Sequence, residues 1–81
     1  MKNIYLIKWE TTNAFTTARK LAEYAKKTFE WDATIWKDGS TYEKVRLQDI
    51  PTEKLITLIN KGSVEIDDGY DRARLEKVEV I

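Results

Sequence analysis

Trp31-Asp32-Ala33-Thr34-Ile35-Trp36-Lys37-Asp38-Gly39-Ser40-Thr41-Tyr42-Glu43-Lys44-Val45-Arg46-Leu47 is the stretch that decides the fold. Two β-prone runs, 31–37 and 40–47, flank Asp38-Gly39. That dipeptide suits a type I′ turn, in which both central residues take positive φ, so the stretch reads as a hairpin. A two-residue loop sets Lys37 opposite Ser40 and Ile35 opposite Tyr42, and brings Trp31 to Arg46 as a cation–π pair. In that register one face carries Trp31, Ala33, Ile35 and Tyr42. The other carries Trp36, Val45 and Leu47.

Upstream of the hairpin, residues 14–28 read as a helix. Ala18, Leu21, Ala22, Ala25 and Phe29 recur at helical spacing. Thr12 or Asn13 can cap its start with a side-chain oxygen. Arg19–Glu23 and Glu23–Lys27 are i, i+4 pairs on the opposite face, where Lys20 and Lys26 add positive charge. Residues 3–9, Asn3-Ile4-Tyr5-Leu6-Ile7-Lys8-Trp9, are β-branched and aromatic, hence a strand. Both of its alternating sets are apolar, which predicts a central strand covered wholly or partly on both faces.

Downstream, residues 50–60 read as a second helix. Pro51 supplies a first-turn φ, Asp49 is the expected cap, and Gly62 is expected to end the helix in the left-handed conformation. Leu55, Leu58 and Ile59 form its buried stripe, with Ile56 at the edge. Ser63-Val64-Glu65-Ile66-Asp67 alternates as a strand, and Asp68-Gly69 is a second turn signal. Residues 71–81 are expected to return as a strand that sets Glu65 opposite Arg72. A short helix over 70–77, supported by Arg72–Glu76, is the competing reading. The fold class is therefore α+β, a single domain of order β-α-β-β-α-β-(β). Its two helices lie on one face of an antiparallel or mixed sheet.

That order resembles the open-faced sandwich of the histidine phosphocarrier (HPr) family. The likeness rests on a helix ending in Phe29, a turn at Lys37-Asp38-Gly39, and a helix ending in Lys61-Gly62 before Val64-Glu65-Ile66. It spans roughly residues 3–67 and implies a fold. The family carries a phosphoryl group on a histidine at the start of its first helix, beside an arginine and a proline. Here the corresponding stretch is Ala14-Phe15-Thr16-Thr17-Ala18, and the chain has no histidine. No phosphocarrier residue carries over, and 71–81 stands where the family has a long C-terminal helix.

Composition narrows the chemistry further. Without His or Cys there is no nucleophilic triad, histidine base or Cys/His metal site. The glycines at 39, 62 and 69 are too scattered for a phosphate-cradling loop. Asp67, Asp68 and Asp71 surround a glycine and can offer oxygens to a hard cation, but they read first as a solvated turn. Carboxylate acid–base catalysis needs a concave pocket, which a thin two-helix domain seldom offers. The expectation is a non-enzymatic protein without cofactor or metal. The absence of cysteine fits a reducing cytoplasm, and small size with neutral charge suits a phage-like protein. Met1-Lys2-Asn3-Ile4-Tyr5-Leu6 reads as the first strand and not as a signal peptide, and no run is long enough to span a membrane.

The aromatic strands are the functional lead. Two helices cover one face of a sheet, so some of Tyr5, Trp9, Trp31, Trp36 and Tyr42 are expected to stay exposed. Trp and Tyr dominate protein-binding hot spots. The leading expectation is thus a regulator or inhibitor that contacts another protein, with Trp36 and Trp9 as anchors and Tyr5 and Tyr42 beside them. The same rings can instead fill the core or a homodimer interface. Lys37, Lys44 and Arg46 share these strands, so single-stranded nucleic acid is the alternative partner, its bases stacking while cations track phosphates. Fourteen basic and fourteen acidic residues cancel, so no general field favours a polyanion.

Overall fold

A computed structural model describes residues 2–80. The elements run β1 (Lys2–Trp9), β2 (Thr11–Phe15), α1 (Ala18–Thr28), β3 (Asp32–Trp36), β4 (Tyr42–Arg46), a 3₁₀ turn (Leu47–Asp49), α2 (Thr52–Lys61), β5 (Val64–Asp67) and β6 (Arg72–Val80). The strands form one antiparallel sheet in the order β2-β1-β6-β5-β3-β4. Both helices lie on one face of it, as the hydrophobic periodicity predicts. Residues 72–80 are strand and not helix, while Ile81 lies outside the described residues, as does Met1.

The core is the layer between helices and sheet. Ala18, Leu21, Ala22 and Ala25 face inward from α1, and Leu55 and Ile59 from α2. Ile7, Ala33, Val64, Ile66, Ala73 and Leu75 meet them from the sheet. The three buried alanines of α1 at 18, 22 and 25 let its backbone approach the sheet closely. Beyond the C-terminus of α1, Phe29 is buried, with Trp9 edge-on at 5.7 Å and Trp31 tilted against it at 4.6 Å between ring centroids.

Helix α1 starts later than its sequence suggests. Glu10 takes positive φ (40°) and reverses the chain, so Thr11–Phe15 pairs with β1 as an edge strand, Tyr5 opposite Phe15. The segment expected to open the helix is thus β2, and neither Thr12 nor Asn13 is the cap. Thr17 is the cap, its Oγ1 accepting from the Lys20 backbone N–H at 3.1 Å. Phe15 ends β2 and packs on Tyr24, 5.0 Å between centroids. At the other end, the Gln48 amide donates to the carbonyls of Lys26 (2.9 Å) and Phe29 (2.6 Å), and Lys26 Nζ donates to Ile50 O (2.6 Å). The two Gln48 bonds satisfy carbonyls that the end of α1 leaves unpaired. Thr17→Ala is expected to cost about 1 kcal/mol, read by urea unfolding, whereas Thr12→Ala stays within about 0.5 kcal/mol.

Other local expectations change with the geometry. The Asp38 turn is longer than two residues, and pairing runs Trp36 to Tyr42, Ile35 to Glu43, Thr34 to Lys44, Ala33 to Val45 and Asp32 to Arg46. This one-residue shift of register exchanges the faces of one strand relative to the other. Trp31 therefore does not meet Arg46 but packs on Phe29 and Trp9, and Arg46 lies opposite Asp32. Before α2, Asp49 ends the 3₁₀ turn and Pro51 occupies the cap position, with no side-chain cap. Gly62 has φ 171°, extended and not left-handed. In the last hairpin Glu65 pairs with Arg74 and Asp67 with Arg72, because Asp68–Asp71 forms a four-residue loop in which Gly69 has φ 93°. Strand β1 is central, but helices cover only one of its faces; Ile4 and Leu6 lie half-buried on the other.

Candidate functional site

Side chains alternate across a strand, so the register assigns every residue to a face. The face away from the helices carries Lys2, Ile4, Leu6 and Lys8 on β1 and Arg72, Arg74, Glu76, Val78 and Val80 on β6. It continues with Glu65 and Asp67 on β5, Asp32, Thr34 and Trp36 on β3, and Tyr42, Lys44 and Arg46 on β4. By register, the row of Trp36 and Tyr42 is level with Leu6 and Glu76. The apolar Ile4, Val78 and Val80 lie to one side of it, and a band of charge, from Lys8, Arg74, Glu65 and Lys44 to Arg72, Asp67, Asp32 and Arg46, lies to the other.

The corner is built by its loop. Asp38 Oδ1 accepts from the backbone N–H of Ser40 (2.7 Å) and of Thr41 (2.8 Å) and from the Ser40 hydroxyl (3.1 Å). Lys37 N donates to Thr41 O at 2.9 Å. This closes the loop so that Trp36 and Tyr42 stand directly opposite, their rings 5.1 Å apart and tilted by 57°. Trp36 is 58% exposed and Tyr42 54%. Trp36 also borders a groove of about 200 Å³ with Ile35, Leu58 and Val64. The loop amides hold the Asp38 carboxyl well below its ordinary 3.8, at about 2. A depressed carboxyl stabilises the fold above its unfolded pKa, and that contribution disappears as pH falls through the folded value. The carboxyl carbon of Asp38 is therefore expected to titrate near pH 2 by NMR, with the Trp36–Tyr42 contact loosening between about pH 4 and 2. In Asp38→Asn that pH dependence is absent.

The charged band is a cross-strand lattice. Lys8 Nζ lies 2.7 Å from Glu76 Oε1, and Lys44 Nζ 2.8 Å from Asp67 Oδ2. Arg72 and Arg74 share Glu65, at 3.8 and 3.7 Å. The Lys44 hydrogen bond lowers the pKa of Asp67 and raises that of Lys44. Asp68 accepts from the backbone N–H groups of Tyr70 (2.9 Å) and Asp71 (2.7 Å), which lowers its pKa. Asp67 and Asp68 thus spend their carboxylates on Lys44 and on loop amides. Among the described residues no three His, Cys, Asp or Glu side chains gather as a metal site.

The residues singled out in the sequence separate into two groups. Trp36, Tyr42, Lys44 and Arg46 share the uncovered face of β3 and β4, and Lys37 sits in the adjoining loop with its Nζ 3.8 Å from Glu43. Tyr5 and Trp9 lie on the helix side of β1, half-buried against the core, with Trp9 edge-on to Trp31 at 5.6 Å. The arginines of β6 and the loop-tip Tyr70, 97% exposed, were not among the candidates. The spacing Arg72-Ala73-Arg74-Leu75 carries the signal, since alternation places both arginines on the face opposite buried Ala73 and Leu75. No described helix is long and apolar enough to cross a membrane. No protein-family model, curated protein or solved structure matches this chain significantly.

Proposed function

We propose that the protein is a non-enzymatic binding module that regulates or inhibits another protein, docking it on the uncovered sheet face. The observation that carries this reading is the Trp36–Tyr42 pair: two large rings, each more than half exposed, held ring to ring on the side of the sheet that no helix covers. Rigid aromatics at a low ordering cost are what protein-binding hot spots use. The neighbouring charges favour a protein over a nucleic acid. Lys8, Lys37, Lys44, Arg72 and Arg74 each have a carboxylate within 4 Å, so acidic groups interrupt any track for a phosphate backbone.

The test is quantitative affinity enrichment from a host lysate with three proteins: the native chain, Trp36→Ala/Tyr42→Ala, and a control altered on the exposed face of α1, Lys20→Glu/Lys27→Glu. The expected result is a protein captured by the native chain and by the control but lost with the double alanine variant. Capture that is unchanged by the alanines, or lost only with the helix-face control, overturns the reading. Quenching of Trp fluorescence by oligo(dT) at low salt, abolished by Trp36→Ala, assigns the face to nucleic acid instead.

A further inference from the structure

We propose that the uncovered face recognises an extended acidic segment of the partner, through a basic cleft on β1 and β6 used together with the aromatic corner. This deepens the function proposed above and rests on it. The cleft, about 260 Å³, is lined by Lys8, Glu65, Arg72, Ala73 and Arg74. Its charge is unbalanced. Lys8 and Arg74 are direct cross-strand neighbours, and like charges directly opposite destabilise a sheet. One carboxylate, Glu65, serves both arginines at 3.7 and 3.8 Å. Glu76, which could offset the cluster, is engaged by Lys8 at 2.7 Å. A second cleft of about 200 Å³, lined by Lys44, Asp67, Tyr70 and Arg72 among others, adjoins it through Arg72 and leads toward β4.

The imbalance extends over the whole face. Six cations (Lys2, Lys8, Lys44, Arg46, Arg72, Arg74) stand against four carboxylates (Asp32, Glu65, Asp67, Glu76), while the chain as a whole is neutral. The excess is small and local. It suits a few discrete carboxylates more than a continuous polyanion. Guanidiniums sharing one carboxylate keep N–H donors free for a second, and arginine forks match carboxylates bidentately.

The topology sets the spacing. From the Trp36–Tyr42 pair to Arg74 the face crosses two to three strand separations and runs two residues along the strands, about 12–16 Å, and Arg72 lies two residues further along. An extended chain covers that distance in about four residues. The segment that fits therefore has an aromatic or large aliphatic residue about four positions from a pair of acidic residues. The apolar side chain meets Trp36 and Tyr42, and the carboxylates meet Arg72, Arg74 and Lys8.

The experiment is an NMR titration of the whole protein, following the backbone amides and the arginine Nε–H signals. The probes are acetylated, amidated peptides: hexaglutamate, a peptide with Trp four residues from Glu-Glu, and one with Trp adjacent to Glu-Glu. Hexaglutamate is expected to shift Arg72, Arg74 and Lys8 selectively. The four-residue spacing should bind at least tenfold tighter than the adjacent one. Arg72→Gln/Arg74→Gln should remove the carboxylate effect, with the circular dichroism spectrum retained. Shifts confined to α1, no saturable shifts at the arginines, or tighter binding of oligo(dT) at the same residues would overturn the inference. It also falls, with the proposed function intact, if partner capture is lost in Trp36→Ala/Tyr42→Ala yet unchanged in Arg72→Gln/Arg74→Gln.

Discussion

Trp36→Ala/Tyr42→Ala is expected to weaken partner binding by about 100-fold, roughly 3 kcal/mol, while the domain stays folded. Each ring exposes more than half of its surface in the free protein, so each has a large apolar area left to bury on docking. A hot-spot aromatic contributes about 2 kcal/mol or more, and two rings in contact combine less than additively. Within the free protein the pair is a cross-strand contact at a sheet corner, so its removal costs only about 0.5–1 kcal/mol of stability. Binding and urea unfolding measured on the same variant separate the two effects. Trp9→Ala should do the reverse. Trp9 stands edge-on to Phe29 and Trp31, so its removal destabilises the domain first.

Leu75→Ala is expected to cost about 3 kcal/mol or more of folding stability, within the range of about 2–5 kcal/mol for buried leucines. Leu75 is fully buried on β6, paired with Ile7 on one side and Val64 on the other. Its neighbours belong to a sheet interior and relax little into the cavity left behind. A domain of this size has a total stability of only about 4–12 kcal/mol, so the loss is a large fraction of it. The neighbouring Arg74→Ala, on the uncovered face, should change stability by less than about 0.5 kcal/mol in either direction. Chemical denaturation of the two variants reads this contrast directly. A Leu75 variant as stable as the Arg74 variant would mean that the helices do not cover the face of β6 assigned to them.

Periodicity carried most of the architecture. The inward stripe of α1, Leu55 and Ile59 of α2, and the alternation of Val64-Glu65-Ile66 each name their buried face in sequence. Strand β2 was hidden because Thr12 and Asn13 are equally good caps and strand-edge residues, and Ala14 and Phe15 extend the helical pattern. What decides between them is the reversal at Glu10, a positive φ that nothing in that residue type demands. The hairpin register was hidden for a related reason. Asp38-Gly39 signals a two-residue turn, but the Asp38 carboxylate captures the amides of Ser40 and Thr41 and lengthens the loop. That single shift puts Tyr42 on the same face as Trp36 and so assembles the aromatic corner. Alternation in Arg72-Ala73-Arg74-Leu75 puts both arginines of β6 on one face, but it is the pairing of β6 with both β1 and β5 that brings Lys8 and Glu65 to them.

The central claim is that the sheet face opposite the helices is the contact surface. Hydroxyl-radical footprinting of the protein, free and in complex with its captured partner, tests it most directly. Protection is expected at Trp36 and Tyr42, with the side chains of α1, Tyr24 among them, unchanged. Protection of Tyr24 and the α1 surface, with Trp36 and Tyr42 as reactive in the complex as in the free protein, would contradict it.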